Sequence, residues 1–111
     1  MSTNAFTPLG NTVTFTANVS GSVPAPVQAL SNGLGSNQYR ILNAGLNTVF
    51  LGLGPNAAGA TANAVVVTST QSSYPLLPGT DEILTFLPNA YFTGITSSGT
   101  SVVYICPGDG L

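Results

Sequence analysis

Glycine and proline punctuate this chain at strand-length intervals, and that spacing leaves no room for a fold built on helices. Thirteen Gly and eight Pro are spread over 111 residues, and no segment between them carries a helical repeat of useful length. The segments alternate apolar with polar residues or form short β-branched runs, which is the pattern of strands. Thr12-Val13-Thr14-Phe15-Thr16-Ala17 alternates with Val13, Phe15 and Ala17 on one face. Further strands are predicted over 27–30, 39–43, 48–53, 65–70, 81–87, 90–96 and 100–106. The prolines of Val23-Pro24-Ala25-Pro26 remove ladder donors and suit an edge or an arm.

The turns are predicted from their residues. Segments 39–43 and 48–53 read as a hairpin about Asn43-Ala44-Gly45-Leu46-Asn47, and 90–96 with 100–106 as a second about Ser97-Ser98-Gly99. Pro78-Gly79 supplies the fixed and then the permissive φ of a type II turn. Residues 57–64 read as a loop with room for one helical turn, and 107–111 as a turn or tail. The expectation is a single domain over 1–111, all-β, a two-sheet antiparallel sandwich, with the jelly roll as its form for about eight strands. Residues 1–10 carry little pattern and read as a flexible arm that orders against a neighbour.

Charge is the second constraint. Arg40, Asp81, Glu82 and Asp109 are the only charged residues, 4% of the chain against about 25% in an ordinary soluble domain. Polarity is carried instead by 14 Thr, 11 Ser and 10 Asn. Neutral groups of this kind can be desolvated against a partner at far lower cost than a carboxylate or an ammonium, and interface centres are depleted in charge for that reason. The chain therefore reads as a surface that ends up covered. The longest aliphatic run, Ala64-Val65-Val66-Val67, falls far short of the ~20 apolar residues of a membrane-spanning helix, so no membrane partner is expected. One cation gives no counterion-release affinity for phosphate, so no direct nucleic-acid partner is expected either.

Catalytic chemistry has almost no residues to work with. There is no His and no Lys, which removes the commonest general base and the Schiff-base nucleophile. Asp81 and Glu82 are adjacent, and in a strand adjacent side chains point to opposite faces, so they cannot act as a facing acid–base pair. Cys106 follows an apolar run with no cation in sequence reach, the setting of a buried, inert thiol. Gly33-Leu34-Gly35 and Gly52-Leu53-Gly54 lack the remainder of any phosphate-loop fingerprint. The reading is no enzyme, no cofactor and no metal site. Arg40 is expected in a structural salt bridge, within the subunit or across an interface. Tyr39, Tyr74 and Tyr91 are either rim and core residues with satisfied hydroxyls or the aromatics of a glycan-binding surface. The first residues, Met1-Ser2-Thr3-Asn4-Ala5-Phe6-Thr7-Pro8, carry neither a basic nor an apolar segment, and synthesis in a cytoplasm is expected.

Several motifs occur in a specific order: Tyr39-Arg40-Ile41-Leu42-Asn43-Ala44-Gly45, Val49-Phe50-Leu51-Gly52-Leu53-Gly54, an Ala-rich linker, and Leu76-Leu77-Pro78-Gly79-Thr80-Asp81-Glu82. Tyr91-Phe92-Thr93-Gly94-Ile95 and a terminal Pro107-Gly108-Asp109-Gly110 follow. Over roughly 38–110 this order resembles the small cement or decoration proteins of tailed-bacteriophage heads. The resemblance implies a virion structural protein, made in the host cytoplasm and bound to the capsid surface. There it would bridge major capsid protein subunits and self-associate as a homodimer or homotrimer. Arg40, Asp81, Glu82, Tyr39, Tyr74 and Tyr91 are the candidate interface residues. The alternative is a tail or fibre module that binds a host-surface glycan or another virion protein.

Overall fold

The computed structural model describes residues 6–8, 12–19, 27–28, 38–86 and 90–110. Strands β1 (Phe6–Pro8), β2 (Val13–Ala17), β3 (Val27–Gln28), β4 (Gln38–Asn43) and β5 (Val49–Gly54) are followed by one short helix, α1 (Ala57–Asn63). Strands β6 (Tyr74–Leu76), β7 (Asp81–Thr85), β8 (Tyr91–Ile95) and β9 (Ser101–Gly110) complete the order. They form two antiparallel sheets. In the first, the β9 sheet, the order is β1-β9-β4-β7 and β2 also pairs with β9; in the second, the β5 sheet, it is β3-β8-β5-β6. The protein is an all-β sandwich, as its punctuation and alternation predict. The strands pair as a nested series, β2 with β9, β3 with β8, β4 with β7 and β5 with β6.

Period-two alternation decides what each strand buries. Phe15 and Ala17 of β2, Tyr39 and Ile41 of β4, and Val103 and Ile105 of β9 point inward from the β9 sheet. Val49 and Leu51 of β5, Leu76 of β6 and Phe92 of β8 meet them from the other side. The Tyr39 and Phe92 rings meet edge to face across the two sheets, with centroids 4.8 Å apart. The Tyr39 hydroxyl also accepts the Ala90 N–H at 3.2 Å. Each large side chain so buried contributes about 1.5–3 kcal/mol relative to exposure.

Four local expectations are corrected. Neither predicted hairpin exists, because β4 is bonded by β9 and β7 while β5 is bonded by β8 and β6. Residues 44–48 and 96–100 are therefore arches between the sheets. Residues 65–70 form no strand. The Thr68 hydroxyl instead accepts the N–H groups of Thr70 (3.2 Å) and Gln71 (3.1 Å), a local turn that competes with a ladder. Tyr74–Leu76 supplies β6 in its place. The predicted tail is strand, since β9 continues to Gly110 with β4 on one side and β1 on the other. Within the predicted arm, Phe6–Pro8 pairs with Gly108–Gly110; its other residues, like 23–26 and Gly33-Leu34-Gly35, lie outside the described residues.

The Pro78-Gly79 turn forms as predicted, with Gly79 at φ 75° and the Thr80 N–H bonded to Leu77 O. Residues 57–64 supply α1, capped by Asn56, whose side chain accepts the Gly59 N–H at 2.8 Å. The helix packs on the outward side of β5 and β8.

Candidate interface on the open sheet face

With α1 on the β5 sheet, the outward face of the β9 sheet is left uncovered by any described helix, and alternation decides what it shows. Inward Tyr39 and Ile41 turn Arg40 and Leu42 outward; inward Val103, Ile105 and Pro107 do the same for Tyr104 and Cys106. The register sets Leu42 opposite Tyr104 and Asp81, and Arg40 opposite Cys106 and Ile83. Pro8, Thr12, Arg40, Leu42, Tyr104 and Cys106 line an open hollow of about 480 Å³. Leu42, Tyr104 and Ile83 are 37%, 41% and 51% exposed, an apolar display on a face that alternation would ordinarily give to polar residues.

Arg40 crosses diagonally to Asp81, donating to Oδ2 from Nε at 3.1 Å and from Nη2. The hydrogen bond to Asp81 and the carboxylate's charge hold the guanidinium pKa above its ordinary value. The expected salt bridge is therefore within the subunit, and it leaves this face electrically balanced. Cys106 is corrected: it is partly buried rather than enclosed, and the chain's only cation is its register partner on β4.

Asp81 and Glu82 do part to opposite sides. Glu82 Oε1 accepts the Tyr74 hydroxyl at 2.8 Å, tying the β7 edge to β6 of the other sheet. That bond, with some burial and the carboxylate's charge, raises the Tyr74 pKa above 10.0. Because the folded value lies above the unfolded one, the contribution to stability is complete below the unfolded pKa and is lost as pH rises through the folded pKa. Spectrophotometric titration should therefore give a difference between wild type and Tyr74→Phe that corresponds to a phenol ionising above 10.0, and Glu82→Gln should lower it. A difference titrating at or below that value would remove the bond.

The three tyrosines singled out from sequence do not share a surface. Tyr39 is fully buried, Tyr74 packs against the core at the rim, and Tyr91 alternates outward from inward Phe92 on the β5 sheet. Tyr39 and Tyr74 thus occupy the core and rim positions. The residues missed from sequence are Leu42, Tyr104 and Ile83. Their signal was present in the alternation, as apolar residues out of phase with the buried set. Among the described residues no three Asp, Glu or Cys side chains converge. No protein-family model, curated protein or solved structure matches the chain.

Proposed function

We propose that the chain is a virion structural protein, a cement or decoration subunit that binds the outside of a tailed-phage head and stabilises contacts between major capsid protein subunits. One observation carries the reading: the sandwich presents an outward sheet face on which Leu42, Tyr104 and Ile83 are exposed and, among the described residues, the charges of Arg40 and Asp81 neutralise each other. Docking such a face desolvates Leu42, Tyr104 and Ile83 favourably and does not strand an unpaired ion. The nested strand pairing, β2 with β9 through β5 with β6, supports it, because it fits a reading of the sandwich as a jelly roll, an architecture used in viral shells and in lectins alike. The mechanism is additive burial, with many symmetric copies each contributing a modest contact across a seam.

Quantifying this chain against the major capsid protein in purified particles should give a fixed, high copy number on heads, and absence from mature heads would end the reading. In addition assays on undecorated shells, Leu42→Thr with Tyr104→Thr, which removes the apolar display without setting charges opposite one another or Asp81, is expected to weaken binding at least about tenfold, as loss of a central apolar contact does. Thermal stability should change little, because both side chains stand outside the core.

A further inference from the structure

Strand β7 ends the order of its sheet, with β4 on one side and no described strand on the other. The phase of the β4–β7 ladder is set by Asn43, whose N–H bonds to Thr80 O at 3.0 Å. Hydrogen-bonded pairs recur every second residue in an antiparallel ladder. Glu82 and Leu84 therefore turn their backbone groups to Ile41 and Tyr39, and Asp81, Ile83 and Thr85 turn theirs away from β4. Apart from Leu84, every residue of β7 is exposed.

Sheet edges are normally blunted by proline or charge. On the β5 sheet, edge strand β6 contains Pro75. On β7 the only such devices are Asp81 and Glu82, both at its start; Ile83-Leu84-Thr85 carries neither. Charge confined to one end selects a partner register and does not forbid pairing. Two copies of β7 set antiparallel about a two-fold at Ile83 place Asp81 opposite Thr85 of the second copy and Glu82 opposite its Leu84. The acidic ends then lie at opposite ends of the joint. Shifting the two-fold to Glu82 sets the two Glu82 side chains face to face, which is destabilising, and shifting it to Leu84 leaves only 83–85 paired. A parallel arrangement would put both acidic ends side by side.

We propose that β7 is a self-pairing edge, joining a second copy of this chain antiparallel about a two-fold at Ile83 so that one sheet runs through both copies. The inference stands apart from the capsid reading, because it concerns the free protein. The interface is isologous: Ile83 meets itself, flanked by two Asp81–Thr85 pairs. A five-residue ladder buries less than the standard interface of about 1,600 Å², so dissociation in about the micromolar range is expected.

The test combines sedimentation of the full chain over a concentration series with disulfide trapping. Wild type should approach twice the monomer mass as concentration rises. Ile83→Lys should raise the dissociation constant at least about tenfold by opposing two like charges across the two-fold. In a Cys106→Ser background, mild oxidation should cross-link Ile83→Cys, since the Cα separation of a hydrogen-bonded pair, about 5.5 Å, lies in the range of a disulfide. Thr85→Cys should remain uncrosslinked, because it faces Asp81 of the other copy. A wild type that stays monomeric overturns the proposal. So does trapping through Thr85→Cys instead of Ile83→Cys, or a dimer that traps at neither position.

Discussion

Gly52→Ala is expected to lower stability by about 3 kcal/mol or more, a large part of the 5–15 kcal/mol that holds an ordinary domain together. Gly52 lies on the outward side of β5, directly beneath α1. A Cβ there would fall inside the contact radius of the Ala60 carbonyl oxygen, 2.6 Å from Ala64 N and 2.7 Å from Ala64 Cβ. Two of those atoms are backbone, so no side chain can rotate aside. The helix cannot easily lift either: Ala60 is fully buried, Asn56 caps its start, and Asn63 Nδ2 donates to Leu53 O at 2.8 Å. Gly59→Ala is the control. Its added Cβ would meet Pro55 Cδ at 3.3 Å and Asn56 Oδ1 at 3.4 Å, a mild crowding set against the gain of about 0.5–1 kcal/mol that Ala brings to a helix interior. Urea unfolding separates the two, with a large fall in midpoint for Gly52→Ala and little change for Gly59→Ala. A wild-type midpoint for Gly52→Ala would mean that α1 does not sit on β5.

The second large effect is expected at Asn43, which is fully buried and uses all four hydrogen-bonding positions of its side chain. Nδ2 donates to Asn47 O at 2.8 Å and Leu76 O at 2.9 Å; Oδ1 accepts from Gly45 N at 3.0 Å and Ser101 Oγ at 2.8 Å. One side chain thus joins the end of β4, the 44–48 arch, β6 and β9. The neighbouring arch is fastened to the same point, with Asn47 Nδ2 donating to Thr100 O at 2.8 Å. Asn43→Leu keeps the volume but strands these groups, and a cost of about 3–5 kcal/mol is expected from several buried polar atoms left unpaired.

Asn43→Asp is expected to be worse at neutral pH, because a carboxylate oxygen would face the two carbonyl oxygens that now receive the amide. Burial and those oxygens favour the protonated acid, so the folded-state pKa rises above the unfolded one. The folded chain then binds the proton more tightly. Destabilisation is least below the unfolded Asp value and grows as pH rises through the folded one. Rescue at low pH is partial, since a protonated carboxyl has one donor where the amide has two. Urea unfolding at about pH 4 and about pH 7, with Asn43→Leu as reference to cancel the chain's other titrations, should show the gap between the variants widening with pH. A gap independent of pH would mean that this side chain faces water.

Asn43 also shows where the sequence stops being legible. Followed by Ala44-Gly45, it reads as an ordinary turn residue, and nothing local distinguishes it from Asn47. Its importance comes from Leu76 and Ser101, which lie 33 and 58 residues away in the chain. The open face divides in the same way. That Arg40 and Leu42 share a side of β4, and that Asp81 and Glu82 part, follows from a period of two. That Arg40 meets Asp81, or stands beside Cys106, depends on β4 lying between β7 and β9.

By itself the chain's punctuation determined that 13–17, 39–43, 49–53, 81–85, 91–95 and 101–106 are extended, that the class is all-β, which side of β2 is apolar, and that Pro78-Gly79 turns. These are properties of φ, of proline's missing N–H and of the side-chain alternation within a single strand, and no distant residue can change them. Only the tertiary structure decided that 44–48 and 96–100 cross between sheets and do not close hairpins, that 65–70 has no ladder, and that 107–110 has two. A strand's pairing depends on whose edges are free once the others have bonded, and free edges are a property of the assembled sheets.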